Sequence, residues 1–298
     1  MELIRDVSRG DWLLARAGEF GTVGGVAGVG FGAYVRILHP VDAHREDRSR
    51  LDEHDEHPVL ESSVWRWAEV AARTGATMHP LVQWTSLTGR TDEEDISFDD
   101  GWRIELPEEG WFEPRLLAAL TEHLAAATST PDDLVGAIWE GWGDVQGNYT
   151  VAVGWQGPDA PTAAERAEML AHAARLQAEH DQKQQELRAS LAGPRFAWPH
   201  REAFLLSMTL PQLADPTWMD DARIVGTYLD VGHTPQMLWP EDHAWVLASE
   251  IDWDSTVVAG PRSLIDAVLA DDRFEAYEVG PDDFLGYGGD EVNGTVPR

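Results

Sequence analysis

The segment Gly28-Val29-Gly30-Phe31-Gly32-Ala33 runs directly into Tyr34-Val35-Arg36-Ile37-Leu38-His39-Pro40, and this junction limits the possible folds more than any other stretch. Its spacing matches the G-x-G-x-x-G/A turn of dinucleotide-binding domains. That turn needs a strand before the glycines and a helix springing from them, so that a pyrophosphate rests on the helix N-terminus. Here the residues after the glycines are β-branched and aromatic, which favours a strand that Pro40 ends. A nucleotide would meet no helix dipole. The glycines are therefore expected to form a turn feeding a core strand, and a doubly wound sheet is disfavoured.

The rest of the chain fits that view. Asp11 to Gly18 reads as a short helix, and residues 41–58 as a charged connector with no apolar period. Ser62 or Ser63 is expected to cap a helix over VWRWAEVAART that stops at Gly75, and LVQWTSL reads as a strand. Pro114 suits the first position of the helix RLLAALTEHLAAAT. LVGAIWEGWG and NYTVAVGW read as strands around a turn from Asp144 to Gly147. Ala163, Ala167, Leu170 and Ala174 share a face of the longest helical pattern, Pro161 to Leu191, whose second half has little apolar surface. REAFLLSMTL, AWVLASEIDW, STVVAG and EAYEV read as further strands, and Ser263 to Asp271 as a helix. Strands and helices are interspersed without regular alternation. The expected fold is α+β, mostly antiparallel sheet with several packing helices and one long Ala-rich helix. Residues 1–285 are expected to form a single domain with the helix at about 161–191 inserted or protruding, and 286–298 a flexible tail.

Composition excludes several chemistries. No cysteine is present, which removes thiolate metal sites and cysteine nucleophiles, and Lys183 is the only lysine, in the polar run HDQKQQE. A phosphate-cradling or Schiff-base lysine has no suitable setting there. No stretch approaches a membrane span, and the start MELIRDVSRGDW does not look like a signal peptide, so a cytoplasmic protein is expected. The net charge of −31 opposes binding to nucleic acid or to an anionic membrane. Acid is concentrated in residues 92–109 and 271–298.

Two constellations are candidates for chemistry. In SEIDWDS, a continuing strand would place Glu250, Asp252 and Asp254 on one face, able to hold Mg²⁺ or Mn²⁺. Just upstream, LWPEDHAW gathers Trp239, Glu241, Asp242, His243 and Trp245, a combination suited to the wall of a sugar or cation site. The run His54-Asp55-Glu56-His57 lacks a helical metal-binding pattern, and no G-x-S-x-G surrounds any serine.

The blocks GFGAYVRILHP, VWRWAEVAARTG with MHP, TPDDLVGAIWEGWG, GPRFAWPHREAFLL and QMLWPEDHAWVLASEIDWDSTVVAGPRSLIDAVLADDRFEAYEV together resemble an uncharacterised bacterial protein family. They cover roughly half the chain and leave out the long helix. The resemblance implies one cytoplasmic domain assembled from both ends of the chain, and it implies no activity or site residue. The expected function is a non-catalytic acidic protein that binds a basic protein partner, immunity-like or regulatory, with no cofactor. The alternative is a metal-assisted enzyme acting on a small polar substrate through Glu250, Asp252 and Asp254.

Overall fold

The structure is a computed structural model that describes the chain except residues 53, 91–93, 144–152, 156–159, 221, 225–226, 229–232, 287 and 295–298. Its strands are β1 (Leu3–Ile4), β2 (Ala33–Leu38), β3 (Val41–Glu46), β4 (Val59–Trp65), β5 (Ile96–Ser97), β6 (Trp102–Ile104), β7 (Leu134–Trp139), β8 (Phe196–Trp198) and β9 (Arg201–Met208). They continue with β10 (Arg223–Ile224), β11 (Thr227–Tyr228), β12 (Met237–Pro240), β13 (Val246–Ala248), β14 (Ser255–Gly260) and β15 (Ala276–Val279). The helices are α1 (Asp11–Leu14), α2 (Val23–Ala27), α3 (Trp67–Thr74), α4 (Trp84–Thr88), α5 (Pro114–Ala126), α6 (Ala163–Ser190), α7 (Leu210–Leu213) and α8 (Arg262–Leu269).

Among the described residues the main sheet has the order β1-β9-β7-β12-β13-β14-β2-β15, with β8 also paired to β9. A smaller sheet has the order β4-β3-β6-β5, and β10 and β11 form a hairpin. Every described pairing is antiparallel, and the α+β class stands.

The glycine segment behaves as its composition requires. Helix α2 comes before the glycines and β2 after them, and both neighbours of β2, β14 and β15, run antiparallel to it. Gly28 closes α2 with φ of 83°, a conformation that costs a side chain with a Cβ dearly. No helix springs from the glycines themselves; the N-terminus of α8 lies beside Gly32, where an added Cβ would come 3.5 Å from the Arg262 nitrogen.

Both faces of the main sheet are buried, which is why its strands read as continuous apolar runs. One face carries Val35, Ile37, Ile138, Phe204, Leu206, Leu238, Leu247 and Val258 against α5, α7 and α8. The other carries Tyr34, Val135, Ala137, Leu205, Trp239, Val246 and Val257 against α1, α2, Phe196 and Trp198. The small sheet and α3 and α4 enclose a third cluster with Trp65, Trp67, Trp84, Leu87 and Ile104. Helix α5 begins where expected: Pro114 takes the first turn, and the Glu113 carboxylate accepts the Leu116 N–H at 2.9 Å. It buries Leu117, Leu120, Thr121 and Leu124 at helical spacing.

Helix α6 runs 28 residues from a Thr162–Glu165 capping box, and among its residues only Leu187 is buried. Leu170 is 63% exposed, and Lys183 is exposed. The expected helix between Pro161 and Leu191 is therefore present.

Several expectations need correction. Residues 41–58 are not all connector, because Val41 and Ala43 turn inward and make β3 the centre of the small sheet. Two apolar residues give too short an alternation to stand out in sequence. Ser62 and Ser63 lie in β4 and cap no helix, and α3 starts after Arg66, whose N–H donates to Glu69 at 2.8 Å. Its end at Gly75, φ 81°, is as expected. LVQWTSL holds α4 in place of a strand. NYTVAVGW and the turn Asp144 to Gly147 lie, apart from Val153 to Trp155, outside the described residues. The stretch expected to be a flexible tail has an anchored part: Asp290 is fully buried.

Two leucines separate packing from propensity. In urea unfolding, Leu124→Ala, fully buried against α5's neighbours, is expected to cost roughly 2–5 kcal/mol with an unchanged m-value. Leu170→Ala on the exposed face of α6 is expected to shift stability by less than about 0.5 kcal/mol.

Candidate functional site

The two expected constellations do not form as the sequence suggested. Strand β13 stops at Ala248, and the chain turns through 249–254 into β14. Within that turn Glu250 accepts the Asp252 N–H at 2.8 Å, and the Trp253 N–H reaches the Glu250 carbonyl at 3.1 Å. A turn does not alternate its side chains, so the three acids part. Glu250 and Asp252 both pair with Arg201, Glu250 at 2.8 Å from its Nε. Asp254 pairs with Arg36 at 3.4 Å. No group of three or more His, Cys, Asp or Glu among the described residues is arranged to hold a metal ion, His54 to His57 included. The metal-ligand reading of Glu250, Asp252 and Asp254 thus lacks a converging ligand set, and each acid already has a cation.

The Trp239 to Trp245 segment does not make one wall. Trp239 on β12 packs with Phe196 and Trp198 on one side of the main sheet, and its buried indole N–H has no partner. Trp245 lies fully buried on the other side and donates its indole N–H to the Leu124 carbonyl at 3.1 Å. Glu241 pairs with Arg9 at the surface. Asp242 accepts from the Ser129 N–H at 2.6 Å and the Thr128 hydroxyl at 2.8 Å, which fixes the turn before β7. His243, with φ of 57°, stacks on Trp12 at 4.1 Å. These five residues tie chain segments together, with Trp239 and Trp245 on opposite sides of the main sheet.

The feature that does gather charge is a cleft of about 830 Å³ between the main and small sheets. One wall is α4 with Gln83, Trp84, Thr85, Thr88 and Arg90. The other is the 251–254 turn, with Glu94, Asp95 and the linker 105–109 around the rim and Trp142 and Leu285 beside them. Among the described residues seven carboxylates line it: Glu94, Asp95, Glu105, Glu108, Glu109, Asp252 and Asp254. The cations reaching them are Arg90 on Glu94, Arg103 on Asp95 and Glu105, Arg201 on Asp252, and Arg36 on Asp254. Carboxylates outnumber these arginines, so the cleft carries a negative potential, focused by the apolar indoles of Trp84, Trp142 and Trp253. The acidic segment 92–109 was legible in sequence; its partnership with 251–254 was not, because the two are far apart along the chain.

Behind the cleft lies a buried polar network that no motif announced. Arg36 is 1% exposed on β2, and its Nε–H donates to the Ser255 hydroxyl at 2.8 Å. One terminal nitrogen donates to the Val82 carbonyl at 2.8 Å and the Pro80 carbonyl at 3.2 Å, and the other faces Asp254. Burial lowers Arg36 from its usual value and raises Asp254 above the usual carboxylate range, with the mutual attraction opposing both. Three residues on, His39 bonds the Glu108 carbonyl through Nδ1 at 2.6 Å and the Thr256 hydroxyl through Nε2 at 2.8 Å. Thr256 in turn meets Ser249 at 2.6 Å. Burial pushes His39 down to about 4.

No protein-family model, curated protein or solved structure matches the chain. The likeness of the sequence blocks to an uncharacterised family therefore assigns no site residue. No helix among the described residues is long and apolar enough to cross a membrane.

Two outcomes follow from the site. His39 is lowered on folding, so the unfolded chain binds its proton first, and stability falls as pH drops through the ordinary histidine value of about 6.5. The loss is complete near pH 4, is on the order of 3 kcal/mol, and is expected to shrink in His39→Gln, as thermal unfolding against pH will show. Mg²⁺ or Mn²⁺ at millimolar concentration is expected to move the thermal midpoint by less than about 1 °C, because the three acids do not converge and each is already paired with Arg201 or Arg36.

Proposed function

We propose that this protein is a non-catalytic, acidic binding protein that takes a basic segment of a protein partner into the cleft between its two sheets, in the manner of an immunity or regulatory protein. The proposed setting is the cytoplasm. The observation that supports this reading is the lining itself, which among the described residues has seven carboxylates, one arginine, Arg90, and three tryptophans. Carboxylates set against indole faces suit guanidinium groups, which pair with the acids in the plane and stack on the rings. The net charge of −31 adds long-range attraction that speeds the approach of a cationic partner.

At least four of the eight acids in 271–298 are engaged inside the molecule. Asp271 binds Arg273 and His123, Glu275 accepts the N–H groups of Trp67 and Ala68, Glu278 pairs with Arg262, and Asp290 is buried. Those four act as acceptors for local groups, whereas the cleft gathers acids from distant segments that exceed the arginines reaching them, which favours the cleft as the docking place.

Octa-arginine is a direct probe. Titration calorimetry is expected to show binding that weakens as salt rises from about 0.05 M to about 0.5 M, over which the screening length shortens severalfold. Glu108 and Glu109 are exposed on the rim, and Glu108→Lys with Glu109→Lys is expected to weaken binding about tenfold or more. Absence of binding at low salt, or an affinity unchanged by the double substitution, overturns the reading.

A further inference from the structure

We propose that the C-terminal segment 288–294 is a clasp that holds the α4 wall of the cleft in place, with Asp290 as its positioning residue. The inference rests on the reading of the cleft as the binding site, and it adds the element that sets the cleft's shape.

The residues of the clasp look unremarkable in sequence: GGDEVNG is rich in glycine and acid. In the structure Asp290 is 0% exposed, in a region where a solvated acid was expected. Its Oδ1 accepts from His79 Nε2 at 2.8 Å and from the backbone N–H groups of Val292 at 3.1 Å and Asn293 at 2.8 Å. Its Oδ2 accepts from the Gln83 N–H at 3.2 Å and from Asn293 Nδ2 at 2.9 Å. His79 Nδ1 accepts the Leu81 N–H at 3.3 Å, so this network assigns the ring proton to Nε2, the atom that faces Asp290. Asn293 completes the grip: its Oδ1 accepts the Thr77 N–H at 2.8 Å, and its Nδ2 donates to the Thr77 carbonyl at 3.0 Å.

Among the described residues, the long-range hydrogen bonds of Asp290 and Asn293 fall on residues 77–83, the stretch that leads into α4. Helix α4 supplies Trp84, Thr85 and Thr88 to the cleft. It is only five residues long, too short to hold itself in water. The same leader is gripped from behind, since the carbonyls of Pro80 and Val82 accept from Arg36. The leader is therefore pinned between a buried cation and a buried anion that come from opposite ends of the chain. Leu285, just before the clasp, also lines the cleft and is tied to Gly21 through its backbone N–H at 2.8 Å. In Asp290→Asn one of the two carboxylate oxygens becomes an NH₂ donor, which leaves either the Gln83 N–H or the His79 Nε2–H facing another donor and loosens one side of the leader.

The test is hydrogen exchange on the full chain, comparing wild type with Asp290→Asn and with Asn293→Ala, which removes the Thr77 contacts and the Nδ2 bond to Asp290 but leaves the Asp290 bonds to His79 and Gln83. Amides of 84–90 are expected to exchange about tenfold faster in Asp290→Asn and less than that in Asn293→Ala, with the α5 amides of 117–126 unchanged. Rates at 84–90 within about twofold of wild type in both variants overturn the proposal, and so does an equal rise across α5, which would make Asp290 a support of the whole fold. Octa-arginine titration gives the second arm. If wild type binds and Asp290→Asn binds at least about fivefold more weakly, the clasp shapes the site; unchanged affinity confines it to stability and overturns its role in the cleft. If wild type does not bind, the function proposed above fails, and the exchange pattern still decides whether the clasp exists.

Discussion

The structure depends on a guanidinium placed in the middle of a buried strand. All six residues of β2 are buried, and Arg36 is among them, on the same face as Tyr34 where the α1 and α2 core gives way to the small sheet. A buried charge is tolerated only when its donors are satisfied. The strand therefore cannot adopt its place until Ser255, Pro80, Val82 and Asp254 are in theirs. One side chain thus fixes the registry of β2 against β14, the path of the leader to α4, and the direction in which Asp254 meets the cleft. The adjacent His39, Thr256 and Ser249 extend the polar seam along the same strands. Most of the core could be repacked with other apolar residues; this seam offers one arrangement.

Acidity in this chain serves two purposes that composition cannot separate. Many carboxylates are structural acceptors: Glu113 and Glu275 receive helix N–H groups, Asp242 holds a turn, and Asp271 joins Arg273 to His123. Those acids compensate arginines or orphan donors, and their charge is locally cancelled. The cleft is different because its acids come from segments distant in sequence and exceed the arginines near them. The same residue type thus acts as mortar in one place and as a surface field in another.

The fold class was legible because strong local signals agreed. The glycine-to-strand junction, Pro114, the runs Arg201–Met208 and Ser255–Gly260, and the capped pattern of α6 each pointed to one element. The misreadings fall where tertiary contact overrides local pattern. WTSLT is helical because Trp84 and Leu87 bury against Trp67 and its cluster, although its aromatic and β-branched residues favour strand. Ser249 to Asp254 turns because a hairpin must close there, and that closure scattered the expected metal ligands. The two tryptophans at 239 and 245 were close in sequence, yet the sheet passes between them. The candidates in the sequence lie in contiguous motifs, whereas the cleft is assembled from five separated stretches, of which the acid-rich 92–109 and the acids Asp252 and Asp254 stood out in sequence.

Lys183, the only lysine, stands exposed on the C-terminal half of α6, one turn before the buried Leu187. The cleft side chains include no amine. Reagents that acylate amines therefore find, apart from the chain's amino terminus, a single side-chain target. A dye, a biotin or a solid support can be joined there in a defined orientation while each carboxylate and indole of the cleft keeps its native chemistry.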